Sequence, residues 1–446
     1  MSEKRCLSKN LFRLKIIFEK ASDEMKSILV FLIIFSVIVI VHEFGHFYFA
    51  RKSGILVREF SIGMGPKVFA KQGKDGVAYT IRLLPLGGYV RMAGADEGGD
   101  LTPGMFISLV VDENNVVHKM NCCEKVELEN SIPFEVADSD LEDELYVEGY
   151  VNGEDSKLVR FAVDHDATVI ESDGTEIRIA PRDVQFQSAK LWQRMLTNFA
   201  GPLNNFILTF VLCVILVFMQ GGMSDPNTSK LGEIMPDSPA SQAGLKQGDE
   251  IKTIADKKIS NWNDLVDEIQ KNPGKSLEVK YTRDGQTKTT TLTPKTVTVN
   301  DEKVGQIGIT MYKKTGVMTM ITGGFEVSIN MATQIFQALK SIIVQPDINK
   351  LGGPVAIFQQ SAQVANEGLI TIIAYMALIS VNIGIFNLLP IPALDGGKLV
   401  LNILEAIRRK PLKPEHEGII TMIGVGMILL LFVLVTWNVI QRMFFR

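Results

Sequence analysis

Four stretches of the chain are apolar for as long as a bilayer requires: Ile28 to Ala50, Phe199 to Met219, Leu369 to Leu389 and Ile419 to Trp437. Each holds about 20 residues, enough for a helix to cross the hydrocarbon core. We expect four transmembrane helices. The first run could be read as a signal peptide, but His42, Glu43 and His46 interrupt it and no small-residue cleavage motif follows, so we expect it to be retained. Between the first two runs, Val57 to Phe69 and Val77 to Met92 read as strands separated by the polar Lys71-Gln-Gly-Lys-Asp-Gly76, which predicts a β-hairpin beside the membrane. Residues 96 to 180 alternate in short runs such as Leu158 to Val163 and show no helical period, so a small β-rich insert is expected. Between the second and third runs, Leu277 to Thr282 and Thr287 to Leu292 are strand-like and Trp262 to Ile269 is an amphipathic helix, the signature of a compact α+β module. Phe325 to Val344 is apolar on one side and carries Glu326, Asn330 and Lys340, which predicts a helix lying in the interface. Were it to cross, the first and third spans would run antiparallel.

These patterns divide the chain into an N-terminal extension (1–24), a first span (25–50), a membrane-associated hairpin region (51–95), the insert (96–185), a second span (196–220), the α+β module (228–313), an interfacial amphipathic region (320–366), a third span (368–390) and a fourth (418–440). Basic residues near the span ends set the orientation. Arg51 to Arg91 holds roughly eight basic and two acidic residues, and Arg408, Arg409, Lys410 and Lys413 crowd the loop before the fourth span, so both segments are expected on the cytoplasmic side. The α+β module is then extracytoplasmic. Lys4, Arg5, Lys9, Arg13 and Lys15 oppose that orientation, which points to Met25 as the working start; a surface-lying helix over residues 9 to 20 is the other reading.

Composition narrows the function. With 446 residues, a net charge of −4 and a pI near 5.9, the chain has no broad basic surface for nucleic acid. The charge is unevenly placed: residues 96 to 180 hold roughly 22 acidic and five basic side chains. Cys6, Cys122, Cys123 and Cys213 form neither C-x-x-C spacing nor a disulfide framework.

The chemistry lies in the first span. His42-Glu43-Phe44-Gly45-His46 is an H-E-x-x-H pattern on a helix-length segment. Histidines at i and i+4 share a face and can reach one zinc ion, with the glutamate beside it as general base. Uncoordinated, two imidazoles and a carboxylate in hydrocarbon would cost several kcal/mol. A catalytic zinc needs a third protein ligand, and Asp395 in Asn387-Leu-Leu-Pro-Ile-Pro-Ala-Leu-Asp395-Gly-Gly397 is the candidate, because prolines and glycines break the chain there and let it line a cavity. Parallel first and third spans bring it to the histidines near the cytoplasmic face.

Taken together, His42 to His46 and Asn387 to Gly397 resemble the two signature motifs of the site-2 proteases, the intramembrane zinc metalloproteases. Ser238-Pro-Ala-Ser-Gln-Ala-Gly-Leu-Lys-Gln-Gly-Asp249, followed by Glu250 and Ile251, resembles a PDZ domain. With Phe60-Ser-Ile-Gly-Met-Gly-Pro66, Gly87-Gly-Tyr89 and Gly201-Pro202, the chain is similar to the bacterial RseP, RasP and Eep type with a single PDZ domain. Met64 stands where that family commonly has an aromatic residue, and the acidic insert has no assigned counterpart. The resemblance implies a polytopic α-helical protein of the bacterial cell membrane with His42, His46 and Asp395 as zinc ligands and Glu43 as catalytic base. It also implies regulated intramembrane proteolysis of single-span proteins, such as anti-sigma factors, signal-peptide remnants or peptide-pheromone precursors, after a site-1 type protease has trimmed them. The PDZ domain would bind peptide or gate access.

A helical substrate must be unwound before cleavage, and an edge of the hairpin could take up the freed backbone as an added strand, or the hairpin could simply anchor the surface. Asn387, Gly63, Gly65 and Asn204 are the expected substrate contacts, with Asn387 alternatively a helix cap and Asn204 and Asn205 alternatively polar glue between helices. His118, His165 and His416 read as solvated. A silent PDZ membrane adaptor is the competing function; a metal transporter lacks repeated ligands along a path.

Overall fold

In the computed structural model the first apolar run belongs to one long helix, α1 (Ser2–Lys52), which continues unbroken through Met25. The described residues are 2–94, 101–152, 157–299, 302–345, 347, 353–410, 412 and 414–444, so parts of the expected insert (96–100, 153–156) and of the expected interfacial region (346, 348–352) lie outside them. The further helices are α2 (Leu191–Met219), α3 (Pro239–Gln242), α4 (Trp262–Gln270), α5 (Val317–Val344), α6 (Pro354–Glu367), α7 (Leu369–Asn387), α8 (Asp395–Arg408) and α9 (Pro414–Phe444). The chain forms two compact units, one from the residues up to Thr209 and from Asn330 onward, the other from Phe210 to Ile329.

Among the described residues, five helices are long and apolar enough to cross a membrane, not four. The additional one is α5, 28 residues long and markedly less apolar than the rest. The expected interfacial stretch is its later part. Glu326, Asn330 and Lys340 dilute the pattern without ending the helix, because straight-chain and amide side chains are tolerated in a helix interior. Within the first unit the direction of the helices does not hinge on α5. The Phe358 ring of α6 packs edge-on to Phe31 at 5.7 Å, and Asn366, further along α6, meets Lys26, so α6 runs against α1. Gly368, at φ +103°, turns the chain back, and Tyr375 and Ile379 of α7 pack with Ile34 and Ile38. α1 and α7 are therefore parallel.

The predicted hairpin exists as β1 (Val57–Gln72) and β2 (Ala78–Met92), but each strand pairs twice. Phe60 is opposite both Val90 and Tyr79, while Phe69 to Gln72 is opposite Ala78 to Ile81, so four segments lie in the order 67–72, 78–82, 59–62, 88–92. Gly63 and Gly65, at φ +88° and +82°, let β1 change partner, a conformation only glycine adopts without strain. Phe47 and Ala50 of α1 pack on Val57, Phe60 and Val77, seating the sheet on the end of the helix.

The acidic insert forms β3 (Phe106–Val111), β4 (Val116–Asn121), β5 (Ile132–Asp140), β6 (Tyr146–Val151), β7 (Leu158–Ile170) and β8 (Glu176–Arg178). Their order is β4-β3-β5-β6-β7-β8, and a parallel β4–β7 seam closes five of them into a barrel around Leu109, Met120, Phe134 and Val147. Alternation put the inward residues on one face; closure made that face a core.

In the second unit, strands Glu250–Ile254, Leu277–Arg283 and Gln286–Leu292 form a sheet on which α4 lays Leu265 and Ile269. Ser238 Oγ accepts the Ser241 N–H and caps α3. Asp249, which ends the PDZ-like string, is 1% exposed and receives Arg283 through two hydrogen bonds of 2.7 Å, with Lys246 N–H donating at 2.8 Å. Asp249→Ala removes both guanidinium bonds and the partner of a backbone donor, while Arg283 keeps Gly244 O and solvent, and should lower the stability of this unit. Hydrogen exchange over 228–313 in the full chain would quicken; unchanged exchange would refute this role.

Candidate metal centre and active site

His42 and His46 lie one helical turn apart, so both rings leave α1 on the side that meets α2. Their Nε2 atoms are 3.2 Å apart. Asp395 arrives from the far end of the chain as the first residue of α8, its Oδ2 at 3.2 Å from His42 Nε2 and 3.3 Å from His46 Nε2. Among the described residues this is the one group of three such side chains placed to share a metal ion.

The hydrogen bonds around these three side chains decide whether they suit a cation. His46 Nδ1 is 2.8 Å from the carbonyl oxygen of Thr197, which can only accept. The proton of the neutral ring is thus on Nδ1, and Nε2 presents a lone pair. The Asn205 amide lies 3.2 Å from His42 Nδ1, and its Oδ1 has no hydrogen-bond partner. Amide nitrogen and oxygen exchange by a half-turn, after which His42 Nδ1–H donates to Oδ1 and Nε2 is again a lone pair. Asp395 Oδ2 is likewise buried without a hydrogen bond. Three electron-rich atoms turned on one point repel one another unless a cation lies among them. Tetrahedral zinc, with donors at about 2.0–2.1 Å, has donor-to-donor edges of about 3.3 Å and a fourth vertex left open. The residues fit.

The neighbouring glycines explain themselves here. A Cβ at Gly201 would overlap His46 Nε2 and come within 2.7 Å of His42 Nε2, and one at Gly45 would overlap Ala200 O, so glycine lets α1 and α2 close over the ring pair. Gly396 and Gly397 would overlap the carbonyls of Leu389 and Ile391 if they carried a side chain. The loop therefore folds directly onto the first turn of α8. Arg194 Nη2 donates to Glu405 Oε1 at 2.5 Å, tying α2 to the later part of α8.

Glu43 is half-buried on the same stretch of α1. The sheet residue beside it is Gly88, whose Cβ would lie 3.6 Å from Glu43 Cγ. Of the expected substrate contacts, Gly63 and Gly65 occupy the fold-back of the sheet, and Asn387 is the half-buried last residue of α7. Asn204 donates to Val41 O at 3.0 Å, which joins α2 to α1. It is Asn205, one residue on and fully buried, that reaches a histidine; Thr209 and Ser380 both donate to its carbonyl. Sequence alone named this pair of asparagines but could not tell which faces the ring.

Asn205→Ala should leave the helices packed and weaken zinc binding by about 10- to 100-fold, the usual effect of losing a partner behind a metal-bound histidine. Competition against a chelator measures it; wild-type affinity would refute the role. On the barrel surface, Asp183, 3.0 Å from His165 Nε2, and Asp166 hold that ring's pKa above its usual value. His416 is exposed.

Residues 30–431 match peptidase family M50. The chain is 54% identical over 422 residues to the probable protease Eep of Enterococcus faecalis, covering 94% of this chain and 100% of that one. It is 49% identical over 433 residues to a candidate zinc metalloprotease of Lactococcus lactis, covering 94% and 99%. A further candidate zinc metalloprotease, from Streptococcus pneumoniae, is 49% identical over 427 residues, covering 95% and 100%.

Proposed function

Since this chain belongs to peptidase family M50, the site-2 proteases, we propose that His42, His46 and Asp395 hold its zinc ion and that Glu43 is its general base. The protein is an intramembrane zinc metalloprotease with several membrane helices and a PDZ-like domain. The observation that carries the residue assignment is the triangle of Nε2, Nε2 and Oδ2 atoms at 3.2–3.3 Å beside Glu43. Zinc held there supplies Lewis acidity toward a peptide carbonyl and toward water. Glu43 takes the proton from the attacking water and returns it to the leaving nitrogen. Thr197 O and Asn205 keep the two imidazoles in the tautomer that faces the metal.

The substrate is a transmembrane segment of a single-span protein or signal-peptide remnant. Its carbonyls are hydrogen-bonded within the helix, so it must unwind to be cut, and the freed groups need new partners in the bilayer. Among the described residues, segment 88–92 has a paired neighbour on one side only, and Gly88 lies beside Glu43. That edge takes the substrate as an added strand. Asn387, at the end of α7, holds the extended main chain, and the PDZ-like domain faces outward, screening substrates that another protease has not yet trimmed. Four spans with α5 in the interface keep the active site near the cytoplasm, as the charges at 51–91 and 408–413 favour.

The test is cleavage of single-span reporters in vesicles, with their outer domain intact or removed, before and after chelation. Trimmed reporters should yield a fragment cut within the span, lost on chelation and restored by zinc. Cysteines placed at 110 and 285 should label from opposite sides. Failure to cut any trimmed reporter would favour a PDZ adaptor.

A further inference from the structure

The proposed chemistry gives α9 no role: its described apolar residues are mostly exposed, and among the described residues it adds no side chain to the group of His42, His46 and Asp395. At one point, however, its backbone meets another backbone. A Cβ at Gly424 would overlap the carbonyl oxygen and carbon of Pro392 and come within 2.6 Å of Pro392 Cβ. Gly426, two residues on, has nothing within 4 Å of the same position, and neither does Gly418. The close approach is specific to Gly424.

Pro392 lies three residues before Asp395 in the loop that joins α7 to α8. Ala393, next to it, has φ +79°, a conformation that a residue with a Cβ holds only when its surroundings impose it. The inner side of the loop is fixed by the glycines of α8, whose first turn folds over Leu388, Leu389 and Ile391. Turns from Ile391 N–H to Leu389 O and from Leu394 N–H to Ile391 O tighten it further. The outer side is fixed by α9. A second close approach holds α9 to the same unit three turns away: a Cβ at Gly353 would lie 3.0 Å from Val435 Cγ1.

We propose that Gly424 is a positioning residue: through it α9 buttresses the Pro392 loop and sets how far Asp395 reaches into the histidine pair. This rests on the reading of Asp395 as a zinc ligand. A carbon placed at Gly424 needs about 3.3–3.6 Å from the Pro392 oxygen, so it displaces one backbone by on the order of 1 Å. Metal donors tolerate errors of only about 0.2 Å. The loop is the part that yields, because its strained Ala393 has a more relaxed conformation to move to, whereas a helix backbone does not.

The experiment compares Gly424→Ala, Gly424→Val and Gly426→Val as full-length proteins in bilayers, measuring zinc affinity by chelator competition, thermal unfolding, and kcat and KM on a reporter. Gly424→Val should bind zinc at least tenfold more weakly and lose kcat with KM unchanged, Gly424→Ala should fall between it and wild type, and Gly426→Val should match wild type. Lower stability of Gly424→Ala at wild-type zinc affinity would reduce the contact to simple packing and overturn the proposal. If Asp395→Ala also keeps wild-type affinity, the ligand assignment beneath it has failed instead.

Discussion

Glu43→Gln is expected to abolish cleavage while the protein keeps its zinc. The substitution preserves size and leaves His42, His46 and Asp395, with their partners Thr197 and Asn205, as they are. What it removes is the group that accepts a proton from water and delivers it to the amine. Positioned proton transfer is worth about 10²- to 10⁴-fold. An amide can do neither half of the transfer, so the loss should lie near the upper end, with KM little changed because Glu43 is not needed to bind the substrate strand. A variant cutting a trimmed reporter within tenfold of wild type would mean that another group is the base. Equal loss of zinc and activity would mean instead that Glu43 holds the site together.

Asp395→Ala should show the opposite pattern, losing the metal first and activity as a result. Two imidazoles alone leave a catalytic zinc without its third protein donor. The fall in affinity should exceed the roughly 100-fold that marks the loss of a second-sphere partner. The fold should survive. α8 loses an acidic residue from its first turn, a change of about 0.3–1 kcal/mol, and keeps the Gly396 and Gly397 contacts and the Arg194–Glu405 pair that seat it. Zinc content near one equivalent in Asp395→Ala would remove this residue from the ligand set.

The meeting of His42, His46 and Asp395 was legible because its signals are written at short range. The histidines declare their shared face by their spacing, and Asp395 declares itself by the prolines and glycines around it. The strands at 57–92, the helix at 262–270 and the strands at 277–292 were legible from periodicity, within a few residues of their ends. Pairing was not. Alternation says that a residue points inward, not which strand it meets, so neither the double pairing of β1 with β2 nor the β4–β7 seam could be read. The length of α5 was hidden by Glu326, Asn330 and Lys340, which lower its apolar average but suit a helix. Asn204 and Asn205 are neighbours about 100° apart on α2, and only the position of α1 decides that the first meets a carbonyl and the second a histidine. Gly424 is one of several small residues in an apolar helix, and nothing in the sequence places Pro392 against it.

The meeting of Asp395 with the histidines also sets a clock on biosynthesis. Asp395 leaves the ribosome about 350 residues after His46, which at ~5–20 residues per second is a delay of roughly 20–70 s. For most of it α1 is already made while α6 and α7, which pack against it, are not, and both are complete just before Asp395. A nascent or truncated chain therefore carries Glu43 and the two histidines but not the Asp395 that completes the proposed centre. The enzyme is expected to be inert toward its neighbours in the translocation machinery, and toward other newly inserted helices, until Asp395, close to the end of its own chain, has been synthesised.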